Sequence, residues 1–400
     1  MEPIVTFKPA AGGLEALGDA PSADPEALAE FSRALQLLEK AQLRPGVMST
    51  VEDPAVALLQ TFIAEQADQG KLSPAPGGAL EAKFDERDLL GWAGSFFTFW
   101  RRLRPHKWLT AAPAPDTVNN TFRLTLLGDW GTGLYGAPVC AQSIAASPDR
   151  ADLIFHLGDT YYSGTEKEIK NRMLAVWPKV PGAVSRALNG NHEMYTGGDA
   201  YFKHALTKFN QAASYFAYQN DHWLLAGLDT AYSDHDLHGD QVAWLENLVA
   251  QAGDRKLVLF SHHQPFSLLD NQGPKLVKKL TNLLAAKRIF AWYWGHEHHC
   301  VLYKAHPAWG LQGRCVGHGG FPYFREKQFG DPPDRPTWRQ LDSKNLVPSA
   351  LVLDGQNPYI ENHETEYGPH GYMTVEFEGE TAFESVHDAD GTVLRAQPLE

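Results

Sequence analysis

The chain has 400 residues, 43% of them hydrophobic, 21% charged and 11% aromatic, the composition of an ordinary globular protein with room for a sizeable core. Its formal net charge of −13 would repel a phosphate backbone, which excludes nucleic-acid binding driven by overall electrostatics. A small anionic substrate stays possible, because a local cluster of metal ions can set the field at one site.

The first residues, MEPIVTFKPAAGG, have neither a basic start nor the apolar core of about 7–15 residues that a secretory signal needs. No run approaches the roughly 18 apolar residues of a spanning helix, so a soluble, cytoplasmic protein is expected. Cys140, Cys300 and Cys315 are odd in number and lack C-x-x-C spacing, which predicts free thiols in a reducing compartment.

Residues 25–43 carry Leu28, Phe31, Leu35 and Leu38 at helical spacing, and Pro45-Gly46 ends the pattern. Residues 53–66 read as a second helix with Pro54 at its first position, and 84–103 as a third. Proline- and glycine-rich breaks separate them, and TAAPAPD (110–116) reads as a linker. The expected organisation is an N-terminal α-helical region over 1–115 and a second domain over 116–400. The third helix holds Trp92, Phe96, Phe97, Phe99 and Trp100 and runs into RRLRPHKW. It can dock on a membrane or partner, or pack on the second domain. Packing is expected, since the aromatics crowd several faces and an acidic protein binds anionic lipid poorly.

From Phe122 onward, short apolar runs alternate with helical segments. The runs are 122–127, 151–157, 183–188, 223–228, 256–260 and 288–294; helices are expected over 239–251 and 274–287, and a closing hairpin over 371–394. This alternation predicts an α/β domain with sheet covered by helices. Residues 328–340 and 354–371 read as long polar loops.

The first run enters GDWGTGLYG, whose Gly131, Gly133 and Gly136 match the G-x-G-x-x-G of dinucleotide-binding proteins. Asp129 stands where a pyrophosphate would sit and would repel it, and the motif leaves the rest of the chain unexplained. Five runs end in groups of one chemical kind: Gly128-Asp129, Gly158-Asp159-Thr160-Tyr161-Tyr162, Asn189-Gly190-Asn191-His192-Glu193, Ser261-His262-His263 and Gly295-His296-Glu297-His298-His299. In α/β folds the carboxyl ends of strands gather sites, and carboxylates with imidazoles suit cations such as Fe, Zn or Mn.

The order GD-x-G (128–131), GD-x-x-Y (158–162), GNHE (190–193), an apolar strand into His262, and GH-x-H (295–298) resembles the calcineurin-like metallophosphoesterases. Within them it is similar to the purple acid phosphatase branch, since Trp-Gly follows Asp129 and Tyr162 ends the second block. The resemblance implies a two-sheet sandwich flanked by helices and two metal ions. It assigns Asp129, Asp159, Tyr162 and His298 to one ion and Asp159, Asn191, His262 and His296 to the other, with Asp159 bridging. Tyr162 would give iron(III) a phenolate, beside Fe(II), Zn or Mn. A metal-held hydroxide would attack phosphorus while His192 stabilises the transition state or protonates the leaving alkoxide.

The expected activity is hydrolysis of small phosphomonoesters. The alternatives are hydrolysis of cyclic nucleotides or other diesters, and a non-catalytic adaptor. Glu193 is expected to orient its neighbourhood and Tyr161 to pack. His156, His222 and His238 are expected in the core, whereas His263, His299 and His318 lie near the ligand blocks and can contact substrate. Substrate choice would come from the loops 163–175, 231–240, 266–273 and 354–370.

Overall fold

The two faces of the predicted strands are both apolar, which is the pattern of strands buried on both sides. The computed structural model describes residues 105–270 and 273–400, together with 29, 33–34, 36–37, 53–68, 72–74 and 80–82. The chain divides into two units, residues 1–105 with 195–197, and residues 106–194 with 198–400.

In the first unit α1 spans Pro54–Asp68 where the second helix was expected. Asp53 caps it, its Oδ1 accepting the Ala55 and Val56 N–H groups at 3.0 and 3.1 Å. The strands β1 (Leu72–Pro74) and β2 (Leu80–Ala82) pair antiparallel. The expected aromatic helix over 84–103 and most of that over 25–43 lie outside the described residues.

In the second unit the strands are β3 (Asp116–Thr117), β4 (Thr121–Leu127), β5 (Leu153–His156), β6 (Val184–Ala187), β7 (Phe216–Gln219), β8 (Trp223–Leu228), β9 (Lys256–Ser261) and β10 (Ile289–Trp294). They continue with β11 (Cys300–Tyr303), β12 (Gln312–Val316), β13 (Thr337–Leu341), β14 (Ala350–Asp354), β15 (Gly371–Glu378), β16 (Thr381–Asp388) and β17 (Val393–Pro398). One sheet has the order β13-β14-β11-β12-β10-β9-β8-β7-β3 and the other β17-β16-β15-β4-β5-β6.

Side chains of alternate residues divide each strand between two cores. Phe122, Leu124 and Leu126 of β4 meet Val258 and Phe260 of β9 between the sheets. Leu257 and Leu259 face outward to Trp244 and Leu276 on the helices that cover the larger sheet. Leu127 and Ile154 face the helix Gly136–Ala146 on the other side. The result is the expected mixed α/β sandwich, two sheets with helices outside.

Pairing within β4-β5-β6 and within β8-β9-β10-β12 is parallel, so each set delivers its carboxyl ends to one edge of its sheet. Three details differ from the sequence reading. The helix expected over 274–287 is two pieces, Pro274–Lys279 and Thr281–Ala285, because Leu280 leaves the helical region at φ −102°. The polar loop 328–340 contains the start of β13, which pairs with β14. The linker 110–116 is fastened to its unit, the Ala112 N–H donating to the Tyr215 hydroxyl at 3.0 Å and the Trp244 indole to the Pro113 carbonyl at 2.8 Å. All three cysteines are free, as expected, and all are buried. Among the described residues no helix is long and apolar enough to cross a membrane.

Candidate metal centre

Asp129 follows β4, Asp159 follows β5, Asn191 and His192 open the short helix Asn191–Met194 beyond β6, His262 follows β9, and His296 and His298 follow β10. Four of these adopt the left-handed backbone region: Asp129 at φ 54°, Asp159 at 72°, His296 at 71° and His298 at 55°. For non-glycine residues each such turn costs roughly 1–3 kcal/mol and persists where surrounding structure enforces it, commonly at functional sites. Gly190 leaves room for the Asp159 carboxylate, since a Cβ there would sit 2.0 Å from Asp159 Oδ1.

The side chains interlock. Asp129 Oδ2 accepts the His296 backbone N–H at 2.8 Å, and Asp159 Oδ1 accepts that of His192 at 3.0 Å. The ring of His262 places Nδ1 against the Leu157 carbonyl at 2.9 Å, so Nε2 is left to face Asp159 Oδ2 at 3.4 Å and Asn191 Oδ1 at 3.0 Å. His296 Nδ1 lies 3.3 Å from that same Nε2. At the other side, His298 Nε2 is 3.4 Å from Asp129 Oδ1.

Two ligand groups result, Asp129 with Asp159 and His298, and Asp159 with His262 and His296, the donor atoms of each lying within 4.8 Å of one another. Asp159 belongs to both. Asp129 Oδ1 is buried without a hydrogen-bond partner among the described residues, and an unpaired buried carboxylate oxygen is costly unless a cation meets it. Carboxylate oxygens and imidazole nitrogens are the donors of Zn, Fe and Mn sites, so the residues fit such ions.

The electrostatics agree with that chemistry. Burial, with Asp159 and Glu193 adding like charge, pushes Asp129 well above the usual carboxylate range. Burial also opposes ionisation of Asp159, but His262 and His192 outweigh it and hold its pKa well below that range. His262 is pushed up to about 9, the charge of Asp159 prevailing over burial. Burial lowers His298 to about 3 and His296 well below its ordinary value, so both offer neutral lone pairs.

The two tyrosines of the second block make different contacts. Tyr161, expected to pack, donates its hydroxyl to Asp159 Oδ2 at 2.9 Å, places it against His298 Nε2, and stacks on Phe321 at 4.2 Å. Tyr162, the phenolate assigned by resemblance, gives this end of the cluster its backbone instead. Its carbonyl takes His192 Nδ1 and its N–H donates to Glu168 Oε1 at 2.7 Å. After burial, the groups acting on its phenol are Tyr135, Glu168 and Arg172. Residue spacing counts positions along a turn and does not tell which of two adjacent side chains points inward.

His192, with Nδ1 on the Tyr162 carbonyl, has Nε2 4.0 Å from Asp159 Oδ2 and its ring over that of Tyr161. Glu193 orients its neighbourhood, as expected: its carboxylate accepts the N–H groups of Asp159, Thr160 and Gly190 at 3.2, 2.7 and 2.7 Å. His263 lies beside His296, whereas His299 packs on Tyr323 and His318 is buried near His370. Of the expected core histidines, His156 is buried against Trp177 and His238 packs on Trp108, while His222 stays half-exposed near Glu380. Asp270, whose Oδ2 is 3.7 Å from His296 Nε2, and Phe321 carried no sequence signal beyond lying in loops. The glycine fingerprint serves packing: a Cβ at Gly133 would meet the Arg172 carbonyl at 2.0 Å and one at Gly136 the His370 ring at 2.4 Å.

Residues 122–300 match the family model of the calcineurin-like phosphoesterases. Among solved structures the chain is similar to purple acid phosphatase PPD1 from yellow lupin (Lupinus luteus) seeds, with 15% identity and a TM-score of 0.53. That match covers 72% of this chain and 55% of the lupin chain, so this protein spans about half the length of that relative. It is also similar to GAP50 of Plasmodium, the anchor in the inner membrane complex, with 13% identity, a TM-score of 0.50, and coverage of 70% and 89%. At these identities the likeness is one of fold. No curated protein sequence matches the chain.

Proposed function

With residues 122–300 a member of the calcineurin-like phosphoesterases, we propose that this protein is a phosphoric ester hydrolase with a dinuclear metal centre, acting on small phosphomonoesters in the manner of purple acid phosphatases. The observation that carries the proposal is Asp159, shared by two ligand groups, beside Asp129 with its unpaired buried oxygen. One ion would be held by Asp129, Asp159 and His298 with the Tyr161 hydroxyl, the other by Asp159, Asn191, His262 and His296. When bound, the two cations supply positive charge for the phosphate and lower the pKa of water.

The chain's own groups do the rest. Glu193 and Gly190 fix Asp159 at the meeting point of the two groups. His192, its Nδ1 proton held by the Tyr162 carbonyl, presents Nε2 toward the cluster; when it takes up a second proton there, the imidazolium can hydrogen-bond a phosphate oxygen and give that proton to the leaving alkoxide. Phe321 covers the Tyr161 ring, stacking on it at 4.2 Å. Diester hydrolysis is the same-class alternative. The rates on 4-nitrophenyl phosphate and bis(4-nitrophenyl) phosphate decide it, and a higher rate on the diester would overturn the monoester reading. The Plasmodium neighbour, an anchor, suggests a non-catalytic use of this fold, and a metal-loaded protein without hydrolysis would favour it. A cytoplasmic setting belongs to the proposal and rests on the three buried free thiols.

Iron(III) with Fe(II), Zn or Mn is the metal pair proposed, and colour tests it. A phenolate bound to iron(III) absorbs visible light, and the 2.9 Å contact of the Tyr161 hydroxyl with Asp159 Oδ2 supports Tyr161 as that phenolate. Tyr161→Phe is expected to bleach the native protein while Tyr162→Phe leaves the band. The reverse result would restore Tyr162 as the ligand, and a colourless active zinc or manganese protein would remove iron.

Metal loading is also expected to release protons. His262 must be neutral to ligate, yet its pKa stands at about 9, so below that pH a proton competes with the ion. Affinity for Zn(II) should therefore tighten as pH rises from 6 toward 9, by up to roughly tenfold per pH unit for a single competing proton. Titration calorimetry in buffers of different ionisation enthalpy would measure the protons released, and a pH-independent affinity would contradict the assignment of His262.

A further inference from the structure

We propose that His235, His263 and His296 form a third cation site beside the pair, sharing His296 with it. The role of His296 in the pair rests on the function proposed above; His235 and His263 lie outside that reading.

One donor atom of each of these three histidines lies within 4.8 Å of the other two. His263 directly follows the ligand His262 but turns the other way and is fully buried. Its Nδ1 is 3.0 Å from the Thr230 carbonyl, an oxygen that only accepts, so Nδ1 carries the hydrogen and Nε2 holds a lone pair. That Nε2 is buried and has no hydrogen-bond partner among the described residues. A core histidine normally satisfies both nitrogens, and leaving one buried acceptor unmet costs roughly 1–3 kcal/mol. His235 repeats the arrangement. Its Nδ1 donates to Asp234 Oδ1 at 2.9 Å, again leaving Nε2 as the lone-pair nitrogen. The ring centroids of His235 and His263 are 3.8 Å apart, and that of His296 lies 5.2 and 4.7 Å from them.

Metal-bound histidines characteristically donate their second N–H to a carboxylate or a backbone carbonyl, and Asp234 and Thr230 fill those places. His296 turns Nδ1 toward His262 and Nε2 toward Asp270, so its two nitrogens face two different sides of the ring. Serving both ions, His296 loses its ring proton to water. Lone pairs converging from three imidazoles repel an anion and suit a borderline cation, Zn(II) or Co(II), with Asp234 and Asp270 supplying negative charge nearby. With Zn–N bonds of about 2.0–2.1 Å, tetrahedral donors stand about 3.4 Å apart, so closing the site needs shifts of only about 1 Å. His235, about 30% exposed, can move by that much and admits the ion from solvent.

The test is metal stoichiometry of the full chain, saturated with Zn(II), desalted and analysed by mass spectrometry. Wild type is expected to hold about three ions and His235→Ala about two, with His263→Asn giving the same loss where circular dichroism shows a native fold. With Co(II), the same variants should lose one tetrahedral visible band. Two ions in wild type, unchanged in His235→Ala, would overturn this site and leave the pair intact. Three ions retained in both variants would overturn it equally. A single ion that His235→Ala removes would uphold this site and refute the pair.

Discussion

Asp159→Ala is expected to abolish effective binding of both ions of the pair and to lower phosphomonoester hydrolysis by on the order of 10³-fold or more. Among the described residues, no other side chain belongs to both the Asp129 and His298 group and the His262 and His296 group. Its removal leaves each group with two of its three convergent donors. It also takes away the charge that outweighs burial at His262, so that imidazole loses the partner that holds it in place. Asp129→Ala makes the contrast. It touches the first group alone, so one ion is expected to remain while activity still falls, because in-line displacement needs both. Metal analysis alongside kcat/KM decides the matter: two ions retained by Asp159→Ala would refute the shared ligand, and full activity with metal lost would refute the whole centre.

The strands that carry the site were legible because their chemistry is local. β4, β5, β9 and β10 are largely apolar runs buried on both faces, β6 starts exposed at Val184 and is buried from Arg186 on, and each is followed by a glycine, serine, asparagine or polar ligand that marks where the chain leaves the sheet. Parallel pairing then does what the order of blocks anticipates, bringing Asp129, Asp159, Asn191, His262, His296 and His298 to one place. The remainder was decided by contacts between distant segments. Which of Tyr161 and Tyr162 turns inward depends on Phe321, about 160 positions away, stacking on one ring, and on Glu168 holding the backbone of the other. β11 to β14 are short and separated by polar stretches, and only their successive pairing outward from β10, through β12, β11 and β14 to β13, identifies them as part of the sheet. His235 and Asp270 lie in segments readable only as loops, and their meeting with His296 is a tertiary fact.

Glu193→Ala is expected to unfold the metal-free protein about 3 kcal/mol more easily and to weaken metal binding by about 10–100-fold, though Glu193 is assigned to neither ligand group. Its carboxylate is almost fully buried and accepts three backbone N–H groups, two from the turn carrying Asp159 and one from Gly190. Truncation leaves three buried donors unmet, each costing roughly 1–3 kcal/mol, less what an entering water recovers. The loss then passes to the site. Asp159 sits in a left-handed turn that its own backbone would not choose, and Glu193 is one of the groups holding it there. With that hold gone, Asp159 can relax away from His262, and the ion they share loses its bridge. Glu193→Gln distinguishes position from charge: its amide oxygen accepts one or two of the three hydrogens, while its NH₂ faces donors and repels the rest. It should fall between wild type and alanine in both denaturant midpoint and Zn(II) affinity. An alanine variant within about 0.5 kcal/mol of wild type, with unchanged affinity, would show that the turn at Asp159 stands without Glu193.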